Sequence, residues 1–191
     1  MAFSTDRLLL RPFQESDAPT LYAYRSDPEV ARYQGWPVPP TVQAAIVAVR
    51  EMAAADPAEP GWFQYAVERV SDRQHIGDVG VRLHANRLQA DIGFTFARQH
   101  QGRGYATEAV RAVLDQLFRV QRLHRVSAEC DARNVSSARL LERVGFRCEG
   151  LRPAYTWSRG EWTDDLLYGL LAEQWPDHGA GAPPWCTGAR T

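Results

Sequence analysis

The apolar residues of this chain change their spacing partway along it, and that change constrains the fold more than any other feature. Between Phe63 and Phe96 three runs, Phe63–Val70, Ile76–Leu83 and Leu88–Phe96, alternate apolar with polar positions. The turn-forming pieces Ser71-Asp72-Arg73 and His84-Ala85-Asn86-Arg87 join them, which predicts an antiparallel meander. After Gly104 the period becomes helical: Ala106, Ala109, Val110, Val113, Leu114, Leu117 and Phe118 fall at i, i+3, i+4, i+7, i+8, i+11 and i+12, a single buried stripe. Sheet must therefore give way to helix across Gln99-His100-Gln101-Gly102-Arg103-Gly104-Tyr105-Ala106. Two glycines at that junction allow positive backbone angles and leave no side chain in front of the helix's free N–H groups, so the loop suits a phosphate or diphosphate.

The flanking segments supply the other layers. Arg7 to Phe13, carrying Leu8, Leu9 and Leu10 and stopped by Pro12, reads as a short edge strand. Ser16 or Asp17 is placed to cap a helix reaching about Arg25, and Asp27-Pro28 opens another toward Tyr33. The alanine- and valine-rich stretch from Thr41 to Ala55 forms a third helix before the break from Asp56 to Pro60. Val126, Ala128 and Cys130 alternate with Ser127 and Glu129 as a fifth strand. Asn134 then caps a helix that turns Ala138, Leu141 and Val144 inward and ends at Gly145, and Glu161 to Leu171 is the last strand. The expectation is one α+β domain over residues 1–175, with a mixed, mostly antiparallel sheet, helices on both faces, and a loose tail at 176–191.

Composition narrows the chemistry. With 191 residues, 45% of them hydrophobic and 24% charged, the chain suits one folded core, and a net charge of -1 argues against nucleic acid or anionic lipid as a partner. All 22 basic residues are arginine. Lysine-dependent chemistry is thereby excluded, including a Schiff base and a P-loop lysine, while arginine keeps its proton and binds anions. Cys130, Cys148 and Cys186 show no C-x-x-C spacing and the histidines no H-x-x-x-H spacing, so neither a metal nor a disulfide framework is expected. Cys130 alternates with apolar neighbours and reads as a core residue. No membrane-length apolar run or leader is seen, and a cytoplasmic location is expected. A dinucleotide fingerprint would need a small residue where Thr107 stands, and a parallel unit before the helix.

The junction resembles the signature Q/R-x-x-G-x-G/A of the GNAT superfamily of acetyl-CoA-dependent N-acetyltransferases, matched by Gln99, Gly102 and Gly104. Asn134-Val135-Ser136-Ser137-Ala138-Arg139-Leu140-Leu141-Glu142-Arg143-Val144-Gly145-Phe146 is similar to that family's N-x-x-S-x-x-L-x-x-x-G-F segment. Arg7-Leu8-Leu9-Leu10-Arg11-Pro12 and the stretch from Gly150 to Leu171 resemble its Rim-type branch, which acetylates ribosomal-protein amino termini.

The resemblance implies a sheet splayed between the fourth strand, Leu88–Phe96, and the fifth, with acetyl-CoA in the cleft and no metal. Phe94, Thr95 and Phe96 would bind the pantetheine arm as an added strand. The N–H groups of Gln101, Gly102, Arg103, Gly104, Tyr105 and Ala106 would hold the diphosphate, with Arg98 and Arg103 beside them, and Asn134 would cap its helix and touch the arm. A backbone N–H near Phe94 or Thr95 is placed to polarise the thioester carbonyl. Ser137 is the expected acid for the leaving thiolate, and Asp91 and Glu129 are the base candidates, each also readable as an arginine partner or solvated position. Tyr33, Trp36, Trp62 and Tyr155 are candidates to wall the acceptor pocket, and Glu29, Arg32 and Asp164-Asp165 to read acceptor charge. His75, His84 and His124 read as surface residues. The expected activity is direct acetyl transfer to a primary amine, either a protein amino terminus or a small amine. The competing reading is a non-catalytic coenzyme A or acyl-CoA sensor. A homodimer is compatible with these residues, which leave the oligomeric state open.

Overall fold

The computed structural model of the chain describes residues 2–36, 38 and 41–176, so Cys186 and all but the first residue of the expected tail lie outside the described residues. β1 (Phe3–Ser4) and β2 (Leu8–Pro12) form a short antiparallel pair, and β3 (Gly61–Arg69), β4 (His75–Leu83) and β5 (Gln89–Phe96) continue from it as an antiparallel meander. With β6 (Arg125–Asp131), β7 (Arg147–Ser158) and β8 (Glu161–Leu171), they make one sheet in the order β1-β2-β3-β4-β5-β6-β8-β7.

The sheet's parallel pair, β5 with β6, runs from Gln89 opposite Arg125 to Ile92 opposite Ala128 and stops there. Beyond that point β5 keeps its partner β4 as far as Phe96 opposite Gly77, and β6 keeps β8 as far as Asp131 opposite Asp165. The two strands therefore part like a V, as the sequence resemblance implies, and Gly93 to Phe96 has one edge with no strand beside it among the described residues.

Helices cover both faces because successive strand residues point to opposite sides. Tyr65 and Val67 share a core with Leu8 and Leu10, with Ala109, Val110, Val113 and Leu114 of α4 (Tyr105–Asp115), and with Leu140, Leu141 and Val144 of α5 (Val135–Val144). The intervening Ala66 packs instead with Leu21 and Tyr24 of α1 (Ala18–Arg25) and with Ala45 and Val49 of α3 (Val42–Ala54). The apolar stripe continues past α4 through a π-type turn at Gln116–Val120, burying Leu117 and Phe118. Between α1 and α3 lies the single-turn α2 (Pro28–Ala31), capped by the Asp27 carboxylate, which accepts from the Glu29 N–H at 3.0 Å.

Two features depart from the sequence reading. Asp17 does not cap α1; its buried carboxylate accepts from Arg11 Nη1 at 2.7 Å and Nη2 at 2.8 Å. Strand β7 was not visible as an alternating run because it lies at the sheet edge and slips register at Cys148/Gly150 and Arg152/Thr156, with Ala154 at φ 46. At the other end of the domain Trp175 is buried, and its indole N–H donates to Asp115 at 2.9 Å.

On the α1 face the meander is fastened by charge. Arg11 also donates from Nε to Glu68 at 2.8 Å, His75 Nδ1 lies 3.7 Å from Asp17, and the Tyr24 hydroxyl donates to Asp78 at 2.5 Å. Burial alone would raise the Asp17 pKa, yet Arg11 and the Gln14 N–H hold it below the ordinary carboxylate value. Burial lowers that of His75, keeping the ring neutral. Arg11→Ala takes the guanidinium from the buried Asp17 carboxylate and leaves Glu68 with Arg73 alone, and should lower unfolding stability by about 3–5 kcal/mol in urea titrations. Because the folded pKa of His75 lies below its ordinary 6.5, its neutral ring costs nothing at neutral pH and stability is lost as pH falls below that value, whereas the depressed Asp17 gives up its contribution only below its ordinary 3.8. The urea midpoint should decline from about pH 7 to about pH 5, less steeply in His75→Gln.

Candidate active site

The free edge of β5 leads directly into the glycine junction. Gln101 turns back, its side-chain amide donating to the Phe96 carbonyl at 2.9 Å and its own N–H to the Arg98 carbonyl at 3.2 Å. The Phe96 carbonyl is thus already occupied, and the Gln101 N–H, expected on the diphosphate, is taken up within the loop. Gly102 and Gly104 take φ of 72° and 82°, backbone that residues with a Cβ rarely adopt. Gly104 is the N-cap of α4 and offers no side chain to it. The first N–H of the helix to find an intrahelical acceptor is that of Glu108, bonded to the Gly104 carbonyl at 3.0 Å, so the amides of the preceding turn remain for an external acceptor. A Cβ built on Gly102 would meet nothing within 4 Å: the loop opens onto empty space. That space is a cavity of about 720 Å³ bounded by β5, the junction, α4, α5 and α2.

The opposite wall is α5, whose N-terminus is closed by protein. Asn134 Oδ1 accepts from the Ser137 N–H at 3.2 Å. Two helix starts thus border one cavity, one capped by its own side chain and the other uncapped. Ser137 lines the cavity and its hydroxyl has no hydrogen-bond partner among the described residues. One helical turn apart on the same face, Arg139 and Arg143 also line it, and Arg143 Nη1 donates to the Thr107 hydroxyl at 3.3 Å. Glu29, Val30, Arg32, Tyr33 and Gln34, from α2 and the residues after it, complete the lining.

The cavity brings together most of the expected site. Phe94, Thr95, Phe96, Gln101, Gly102, Gly104, Tyr105, Ala106, Asn134 and Ser137 all border it, whereas Arg103 does not. The two base candidates also lie outside it. Asp91 sits in the zipped part of β5, opposite Ser127, and accepts from Arg82 Nε at 2.8 Å with His84 Nε2 at 3.0 Å. Glu129 is exposed and paired with Arg152. Asp164 is spent on the Ala154 N–H and Asp165 on the Thr156 hydroxyl. Trp62 and Tyr155 are exposed elsewhere, and Trp36 lies under the Arg25 guanidinium. His75 is buried rather than superficial. Burial and neighbouring carboxylates push the Cys130 thiol up to about 11, which leaves it a protonated, unreactive core group.

Sequence reasoning missed Arg139, Arg143 and His100. The arginines carried a signal, since Ser136, Arg139 and Arg143 recur at helical spacing around the apolar stripe of α5. His100 carried none: it is 6% exposed, borders the cavity, and neither ring nitrogen has a partner among the described residues. Burial, with Arg69 and Arg103 nearby, lowers its pKa and keeps the ring neutral. Among the described residues no cluster of three or more His, Cys, Asp or Glu side chains is placed to hold a metal ion, and no helix is long and apolar enough to cross a membrane.

A splayed parallel pair and an uncapped helix N-terminus thus open onto one cavity. The family model for the acetyltransferase (GNAT) domain matches residues 7–147. The chain is 30% identical over 177 residues to the uncharacterized N-acetyltransferase YnaD of Bacillus subtilis, covering 92% of this chain and 99% of that protein. It is 27% identical over 184 residues to the Escherichia coli [ribosomal protein uS5]-alanine N-acetyltransferase, covering 90% and 91%. Among solved structures, a GNAT-family acetyltransferase from Bacillus anthracis superposes with a TM-score of 0.80 at 27% identity, over 91% of this chain and 99% of that one. The chain belongs to the GNAT family, and it is an acetyl-CoA-dependent N-acetyltransferase.

The uncapped amides and open glycine loop fit the coenzyme's diphosphate. Gly104→Val forces a β-branched residue into left-handed backbone, where its Cβ would stand 3.4 Å from Arg7 Nη2. Calorimetry should show coenzyme A affinity reduced by about tenfold or more, with strain of roughly 1–2 kcal/mol in the fold itself.

Proposed function

We propose that this enzyme binds acetyl-CoA along the free edge of β5, seats the diphosphate on the amides of Gly102 to Thr107, and acetylates an α-amino group presented from the α2 end of the cavity. The observation that carries this reading is the continuity of the unpaired Gly93–Phe96 edge with the uncapped start of α4. Acetyl-CoA supplies an activated thioester, so the chain's own work is to position, to bind developing charge and to move protons. The outward backbone groups of Gly93 to Thr95 are suited to the pantetheine amides, in the manner of strand addition. Arg139 and Arg143 add charge on the phosphate side, and an N–H of the same strand edge is suited to the thioester oxygen as its charge grows. Ser137, with an uncommitted hydroxyl on the opposite wall, donates a proton to the departing sulfur.

The base side is lighter. Asp91 and Glu129 are held by arginines outside the cavity, whereas Glu29 lines it, in a loose, exposed pair with Arg32 at 3.8 Å that leaves the carboxylate open to an incoming amine. An α-amine with a pKa of about 7.7 to 8.0 is substantially neutral near physiological pH, unlike a lysine side chain at about 10.4, so a carboxylate that attracts the amine and relays its proton through water suffices. The relative that acts on the alanine of ribosomal protein uS5 supports a protein amino terminus over a small polyamine. A cytoplasmic location accords with such an acceptor.

Thiol release measured with a panel of amines tests the reading directly. Peptides with a free small amino-terminal residue should be turned over and their Nα-blocked forms should not; preference for polyamines or lysine side chains would contradict it. Ser137→Ala should lower kcat by on the order of 100-fold while the coenzyme A dissociation constant moves by less than about threefold. Glu29→Gln should raise the acceptor KM more than it lowers kcat.

A further inference from the structure

The motif Arg7-Leu8-Leu9-Leu10-Arg11-Pro12 gives its two arginines different work. Arg11 is spent on the buried Asp17 and Glu68. Arg7 is half-exposed and reaches the back of the anion cradle, where Glu108 of the first α4 turn awaits it. The Glu108 carboxylate accepts from Arg7 Nε at 2.7 Å and Nη2 at 2.5 Å, from the Arg7 backbone N–H at 3.2 Å, and from the Thr5 hydroxyl at 2.5 Å. Arg7 then has one further donor, Nη1, and it bonds the carbonyl of Arg103 at 3.3 Å, inside the glycine loop itself. The guanidinium also lies 4.7 Å from the centroid of the Tyr105 ring, at the first residue of α4.

Two consequences follow for the cradle. A peptide unit is planar and trans, so its C=O and N–H point in opposite directions. Drawing the Arg103 carbonyl toward Arg7 turns the Gly104 N–H the other way, toward the space where the diphosphate is seated. Glu108, meanwhile, is an anion one turn into the helix whose N-terminus must attract another anion, and left bare it would compete for the same dipole and repel the ligand. Although partial burial opposes its ionisation, Thr5 and Arg7 hold its pKa below the ordinary value, so it is charged and must be neutralised where it stands.

We propose that Arg7 is a positioning residue for the coenzyme's diphosphate: it sets the direction of the Gly104 N–H through the Arg103 carbonyl and screens Glu108 from the bound anion. This rests on the coenzyme site described above. The β1–β2 turn is thereby part of the coenzyme site without touching the coenzyme.

Calorimetric titration of coenzyme A into four forms of the full chain tests it, with the ligand-free thermal midpoint of each as a control. Arg7→Ala should weaken binding about tenfold. Adding Glu108→Gln to Arg7→Ala should recover about two- to fivefold of that loss, because the unscreened carboxylate is gone. Arg7→Lys should fall between wild type and Arg7→Ala, since an ammonium screens Glu108 but cannot also fork to the Arg103 carbonyl. Unchanged affinity in Arg7→Ala overturns the proposal. So does a double variant that binds no better than Arg7→Ala, the result a purely structural anchor of the β1–β2 turn would give. A wild-type chain that does not bind coenzyme A overturns the coenzyme reading itself.

Discussion

Parallel pairing between β5 and β6 ends at Ile92 and Ala128, and what this chain can bind depends on that parting. Had the strands stayed zipped to their ends, the backbone groups of Gly93 to Thr95 that face away from β4 would be satisfied within the sheet. Parted, they leave a row of backbone groups whose net bond energies are individually modest, about 0.5–1.5 kcal/mol each, but which act together on one extended ligand. The same strand then delivers the chain to a helix start that no side chain closes. An elongated ligand with amide-like groups followed by a diphosphate matches both parts in order.

Charge is handled almost entirely by arginine. Most arginines are committed to acidic partners, on the surface at Arg50–Glu15 and Arg133–Asp131 and in the interior at Arg11–Asp17. The interior network fixes α1 against the meander, and α1 in turn carries α2, which lines the cavity. Surface pairs of this kind contribute little stability. Their effect is to leave few cations uncommitted, and Arg139, which has no partner among the described residues, is one that borders the cavity. Arg143, on the same cavity wall, likewise has no acidic partner among the described residues.

The parts of the fold that obey local rules were legible in the sequence. The α4 stripe, the Asn134 cap and the Gly145 terminus, at φ 111, follow from periodicity and capping chemistry that act within a few residues. The uncapped junction was legible for the same reason, whereas the cavity wall on β5 was expected only from the family resemblance. What could not be read depends on register. Asp91 belongs to β5 as expected, but the zipped stretch from Gln89 to Ile92 places it away from the cavity, and no local pattern says where a parallel pair ends. Glu129 met Arg152 through β7, the irregular strand that alternation could not find. Asp17, a plausible cap by type, was claimed by an arginine six residues earlier once burial made that charge pair the stronger demand.

Backbone amide NMR during titration with coenzyme A tests the central claim most directly. The account predicts that the largest perturbations fall on two contiguous sets, Gly93 to Thr95 and Gly102 to Thr107, with the Gly104 amide shifting strongly as its N–H acquires an anionic acceptor, while Asp91 and Glu129 stay nearly still. Saturable binding that leaves the Gly102–Thr107 amides unmoved and perturbs some other surface would contradict it.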